Sequence, residues 1–147
     1  MSISDLQLES GMRKDLGAED YDALAAFRYA MRKFLRFSKD VLAGARLTPE
    51  QYEALLAIKA RSGSTGTTVG DLSERLQVKH HTAVSLVDKL VTRKLIARQR
   101  ATEDRRQVHV KLTRVGDSVI GGLAKIHRGE LRNRSFEMID ALTRLQK

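Results

Sequence analysis

The chain has no cysteine among its 147 residues. That excludes a disulfide framework, cysteine-ligated zinc, iron–sulfur clusters and thiol-based redox sensing by this chain. No apolar run approaches the ~18 residues that a membrane-spanning helix needs. Residues 1–14 contain Asp5 and Glu9 and no apolar stretch, so they do not read as a signal peptide, and a cytoplasmic location is expected. Catalytic signatures are missing as well. There is no G-x-S-x-G elbow, no phosphate-binding lysine loop, no G-x-G-x-x-G and no H-E-x-x-H. Glu103 and Asp104 form a carboxylate pair, but at a hairpin tip with no pocket beside it. His80 and His81 are adjacent, hence about 100° apart on a helix, a poor geometry for sharing a metal. Folding could bring His127 into a metal site with them, but surface or core histidines are the better reading. No enzymatic activity, cofactor or metal is expected.

What the chain does have is positive charge, and it is concentrated. The net charge is +9, with 27 basic and 18 acidic side chains. Residues 79–114 hold 10 of the basic and 3 of the acidic ones, so this quarter of the chain supplies seven of the nine net charges. An excess so localised points to a polyanion-binding surface. With 41% hydrophobic and 31% charged residues, the chain has the composition of one globular domain.

Periodicity divides the chain into elements. From about Glu19 to Ala43, Leu24, Phe27, Met31, Phe34, Ser38 and Val41 recur at helical spacing, with Leu35 and Leu42 widening the stripe. Gly44 suits the helix end. Two readings fit so long an apolar face: a plain core helix, or a helix that a partner chain covers. Thr48-Pro49-Glu50-Gln51 predicts a helix start, with Thr48 as cap, Pro49 in the first turn and Gln51 closing a capping box. Tyr52, Leu55 and Leu56 are its expected buried face. Residues Ser62 to Thr68 read as a polar loop. Gly63-Ser64-Thr65-Gly66 matches the GxxG of RNA-binding KH loops, but it has no basic residue, so a connector is the better reading.

Thr68 is placed to cap a short helix carrying Val69, Leu72 and Leu76. Gln77-Val78-Lys79 is a tight connection. A second helix follows from His80 to about Lys94, with Val84, Val87, Leu90 and Val91 facing inward. His81, Thr82, Ser85, Asp88 and Lys89 are left outward. This is the helix-turn-helix pattern. Then the period becomes two: Ile96–Ala101 and Gln107–Lys111 predict a two-stranded ribbon with Arg98 on one face and Thr102-Glu103-Asp104-Arg105-Arg106 at its tip. Thr113 opens a further helix with Val119, Ile120, Leu123 and Leu131, weakened by four glycines. Ser135–Leu145 is a last amphipathic segment.

Each part has a physical role toward duplex DNA. A helix fits the ~12 Å major groove, where base pairs are distinguishable. His81, Thr82 and Ser85 are candidates for base edges, and Lys79, His80 and Lys89 for phosphates. Arg98 belongs to the same basic face. Arg105 or Arg106 suits a minor groove, whose negative potential attracts arginine. Asp104 makes sense there as the group that orients an arginine.

Residues Val69 to Leu112 resemble the winged helix-turn-helix of the MarR (multiple antibiotic resistance regulator) family. The likeness rests on Leu86-Val87-Asp88-Lys89-Leu90, Leu95-Ile96-Ala97-Arg98, Glu103-Asp104-Arg105-Arg106 and Lys111-Leu112-Thr113. The family's Asp-x-Arg wing signature is matched by Asp104 and Arg106, and its Leu-Thr-x-x-Gly by Leu112, Thr113 and Gly116. The resemblance implies an α+β, mostly helical fold: one domain over 1–147, with dimerisation helices at 19–47 and 114–147 around a DNA-binding lobe at 48–113. It implies a homodimer on a pseudo-palindromic operator, usually a repressor, released by a small phenolic or anionic effector. Arg106 would be the minor-groove arginine and Asp104 its partner. Two positions depart. Ser85 stands where many members carry Arg. Lys94 stands where the family usually has Gly; a left-handed cap there costs a non-glycine residue about 1 kcal/mol or more, which leaves the form of the turn open. Two other readings remain: an architectural DNA-binding module without effector control, and an RNA-binding module using the Gly63–Gly66 loop.

Overall fold

The computed structural model describes residues 2–5, 15–63, 66–100 and 108–147. Helix α1 spans Ala18–Gly44, with Glu19 and Asp20 at its positive end. Helix α2 is Pro49–Ala60, and the Thr48–Gln51 capping box forms as the sequence predicts: Thr48 Oγ1 accepts from Gln51 N–H at 3.1 Å and Gln51 Oε1 from Thr48 N–H at 3.0 Å. Strand β1 (Thr67–Thr68), helix α3 (Val69–Leu76) and helix α4 (His80–Thr92) follow. Strands β2 (Ile96–Arg100) and β3 (Val108–Leu112) and helix α5 (Arg114–Leu145) complete the order. The segment predicted as a separate amphipathic piece, Ser135–Leu145, is the end of the uninterrupted α5.

The chain forms two compact units, one of Met1–Leu35 with Leu131–Lys147 and one of Arg36–Glu130. In the Arg36–Glu130 unit the sheet is antiparallel in the order β1-β3-β2. Thr67 pairs with Val110 and Thr68 with His109, so part of the expected Ser62–Thr68 loop is a short strand. On the other side Ile96 pairs with Leu112 and Arg98 with Val110. Leu42, Leu55, Leu72, Val87, Leu90, Ile96 and Ile120 fill one core from α1 to α5. Each such side chain contributes about 1.5–3 kcal/mol by leaving water, so the helices and the sheet are held mainly by this shared interior. His127 is a core residue here: Nδ1 donates to Leu123 O at 2.7 Å, which leaves Nε2 to accept from the Ser38 hydroxyl at 2.8 Å. Its ring stacks on Tyr52 with centroids 4.4 Å apart.

Two inward faces differ from expectation. On α2, Leu56 is exposed, and Gln51, Ala54 and Ile58 are buried with Tyr52 and Leu55. On α4, Val84 is 37% exposed, and Ala83 takes the inward place. The small residue wins there because the helix lies close against its neighbours.

The unit of Met1–Leu35 and Leu131–Lys147 is held differently. Arg144 binds Asp22 at 2.8 Å, Asp140 at 3.3 Å and Glu19 at 3.5 Å, and Lys33 binds Glu137 at 2.9 Å. On the part of α1 within this unit the buried positions are Ala23 and Ala30, whereas the predicted stripe residues Leu24 and Leu35 are exposed. Leu142, Ile139 and Phe136 on α5 are exposed too, Phe136 to 78%.

Candidate nucleic-acid interface

The presentation of α4 begins with the helix before it. Thr68 Oγ1 accepts from Asp71 N–H at 3.0 Å, and the Asp71 carboxylate accepts from Thr68 N–H at 2.9 Å. That backbone N–H, helped by Arg61 nearby, holds the Asp71 carboxyl below the usual carboxylate range, against a smaller opposing push from burial. At the other end Gln77 takes a left-handed conformation, with φ 54°. Gln77 N–H bonds Glu74 O at 3.2 Å, Val78 N–H bonds Ser73 O at 3.1 Å, and the Ser73 hydroxyl returns to Val78 O at 2.7 Å. These bonds fix the three-residue turn between the helices, so the start of α4 has one direction.

Lys79 is the N-cap of α4 and makes no side-chain capping bond. A helix start without a cap from its N-cap side chain suits a meeting with phosphate. Ala83, Val87 and Leu90 are fully buried, which turns His81, Thr82, Ser85 and Lys89 outward together. Lys79 and His80 are exposed beside them. The structure thus brings six of the predicted residues onto one end and face of a single helix.

Arg98 lies on β2, and its guanidinium pairs with the Asp88 carboxylate of α4. The sequence placed both side chains outward but gave no sign that they meet. A cavity of about 400 Å³ opens between the start of α3, α4 and the strands, with Val69, His80, Val84, Arg98 and Val108 in its lining. This is why Val84 is half exposed. Asp104, Arg105 and Arg106 lie outside the described residues, as do Ser64 and Thr65 of the GxxG loop.

The junction from α4 to β2 settles the turn at Lys94. The left-handed turn is kept, with Lys94 at φ 60°. Lys94 N–H bonds Val91 O at 2.9 Å and Leu95 N–H bonds Leu90 O at 3.1 Å, the two bonds of a Schellman end. The same junction explains Leu112-Thr113-x-x-Gly116. Thr113 N–H bonds Leu95 O at 3.0 Å, and Thr113 Oγ1 caps α5 by accepting from Gly116 N–H at 3.0 Å. A Cβ on Gly116 would lie 1.9 Å from Leu95 O. Only glycine lets α5 start this close to the end of α4.

A short capped helix, a pinned turn, a second helix with an exposed polar face and an antiparallel strand pair define a winged helix-turn-helix. The MarR family model matches residues 47–107. Over that segment the chain is similar to the MarR family, on a fold that is a winged helix-turn-helix. Solved structures agree on the fold. MepR, a transcription regulator of the Staphylococcus aureus multidrug efflux pump MepA, has a TM-score of 0.69 at 22% identity, over 82% of this chain and 93% of that one. The S. aureus MepR–DNA complex gives 0.64 at 23%, over 82% and 91%. YusO from Bacillus subtilis gives 0.61 at 24%, over 97% and 94%. Comparison with the curated proteins found no match. No helix among the described residues is long and apolar enough to cross a membrane.

Proposed function

We propose that this chain is a transcriptional regulator that binds double-stranded DNA in a sequence-specific way. One observation carries the reading: His81, Thr82, Ser85 and Lys89 stand exposed along a helix that buries Ala83, Val87 and Leu90 and whose entry turn is pinned. In a major groove His81, Thr82 and Ser85 read base edges, while Lys79, His80 and Lys89 position the helix on phosphates. The wing adds Arg106, oriented by Asp104, and Arg105; Arg98, tied to Asp88, lies at the wing base. A solved DNA complex of MepR, which shares the fold, supports the same use of this lobe.

The working unit is a homodimer on a pseudo-palindromic operator. Support comes from Leu24, Leu35, Phe136, Ile139 and Leu142, large apolar side chains exposed in the single chain; apolar surface of this kind marks association. The dimerisation helices are 19–47 and 114–147, with the DNA-binding lobe at 48–113. The regulator acts as a repressor in the cytoplasm, and a small phenolic or anionic effector releases it.

A gel shift with genomic duplexes selected by the protein tests this. Arg106→Ala weakens binding to them about tenfold or more, the loss of one charged groove contact. A dimer that engages roughly six phosphates loses about a thousandfold in affinity between 50 and 200 mM salt. A flat salt titration, or no preference over random duplex, refutes the reading.

A further inference from the structure

The end of α4 carries a contact that groove binding does not use. Arg93 is the C-cap of α4, and its side chain reaches across to the corner between α1 and α2. One guanidinium nitrogen donates to Arg46 O, and the other lies 3.3 Å from Ala45 O. Those carbonyls follow the left-handed end of α1, where Arg46 has φ 57° and Leu47 N–H returns to Leu42 O at 3.0 Å. Two helix ends, each closed by a left-handed residue, are therefore joined by one forked cation. Helices α1 and α4 share little close backbone packing, so the fork is a direct polar tie between them. Two parallel N–H donors on consecutive carbonyls fix direction as well as distance, which a lysine ammonium cannot reproduce.

We infer that Arg93 is a positioning residue: it fastens the C-terminal end of the recognition helix to the α1–α2 corner and thereby sets the spacing at which two recognition helices meet DNA. The inference rests on the proposed function, a dimer joined through α1. The lever is long. Helix α4 has 13 residues, so it is about 20 Å long at 1.5 Å per residue. A pivot of about 10° at Arg93 would move its other end by about 3.4 Å, which is one base-pair step. Loosening the fork should blur spacing and leave base reading intact, because Arg93 is at the far end from His81, Thr82 and Ser85.

The test is selection from a randomised duplex library by the full chain, by Arg93→Ala and by Arg93→Lys, with hydrogen exchange on the same proteins. The wild type is expected to enrich paired half-sites at one spacing, near one or more turns of about 10 base pairs. Arg93→Ala should enrich the same half-site with the share at that spacing cut about twofold or more, spread to neighbouring spacings. Arg93→Lys should resemble Arg93→Ala. Exchange should quicken at residues 43–47 in both variants. A spacing distribution and exchange equal to the wild type's would overturn the role of Arg93 and leave the DNA-binding reading intact. A changed half-site would also overturn it, by making Arg93 a base contact. A wild type that enriches no motif at all would sink the DNA-binding reading, and this inference with it. Should Arg93→Ala fail to fold, Arg93→Lys carries the same comparison.

Discussion

Replacing Gly116 by alanine should unfold the molecule more easily, and replacing Gly121, in the same helix, should do the opposite. Helix propensity alone predicts a gain of about 1 kcal/mol for both. The surroundings separate them. At Gly121 an added Cβ meets nothing within 4 Å. At Gly116 it would lie 1.9 Å from Leu95 O and 2.8 Å from Leu95 C, both backbone atoms that no rotamer change can move. The first turn of α5 would have to retreat, stretching the Thr113 N–H bond to Leu95 O. Overpacking of this kind costs about 1–3 kcal/mol or more, and disturbing the Thr113 cap adds about 1 kcal/mol. Less the propensity gain, Gly116→Ala should lose about 1–3 kcal/mol or more, a fall in Tm of roughly 3–12 °C at this size. Gly121→Ala should rise by about 3 °C. Thermal unfolding followed by circular dichroism, at matched protein concentration, reads both. A Gly116→Ala variant as stable as the wild type would refute the close approach of α5 to Leu95.

Two further predictions follow from local geometry. Lys94→Gly should leave stability within about 0.5 kcal/mol of the wild type, because removal of the left-handed penalty of about 1–2 kcal/mol is offset by unfolded-chain entropy and by the lost charge at the helix end, whereas glycine inside a helix costs about 1 kcal/mol; a loss of about 1 kcal/mol or more would contradict the φ of 60°. Asp71, whose carboxyl is held low by the Thr68 N–H, contributes stability that is fully present above the ordinary carboxylate range and is lost as pH falls through the lowered value. Asp71→Asn should therefore destabilise at pH 7 and flatten the fall in Tm between about pH 5 and pH 3; a variant with the wild-type acid profile would remove Asp71 from the account.

What the sequence made legible was what a few neighbouring residues decide. The caps at Thr48 and Thr68 were readable because donor and acceptor lie three positions apart. The two long strands were readable from alternation. The strand Thr67–Thr68 was not, since two residues hold no period and their partners, Val110 and His109, are some forty positions away. Helical spacing assigned Val84 to the inward face of α4, and the structure chose Ala83 instead. A hydrophobic stripe says which side is apolar, but close helix packing decides which position on it must be small. The outward set His81, Thr82, Ser85 and Lys89 followed from the buried set and needed no partner. Asp88 with Arg98, and Arg93 with the Ala45 and Arg46 carbonyls, are pairs that only folding brings together.

Lys94 shows which force overrides local preference. Three helices end on left-handed residues, Arg46, Gln77 and Lys94, and none is glycine. At two of them the next residue is a buried leucine, Leu47 or Leu95, whose N–H closes the helix onto the carbonyl of a second buried leucine, Leu42 or Leu90. Burying one leucine contributes about 1.5–3 kcal/mol, against about 1–2 kcal/mol for the left-handed backbone. A turn that differed at Lys94 would draw Leu95 out of the core and take Ile96, the first residue of β2, with it. The burial term is the larger, so the turn keeps its form with lysine in it. A lysine there also brings positive charge to the negative end of α4, worth about 0.3–1 kcal/mol. The backbone preference of Lys94 alone leaves the turn open; the residue that decides its conformation is the one after it.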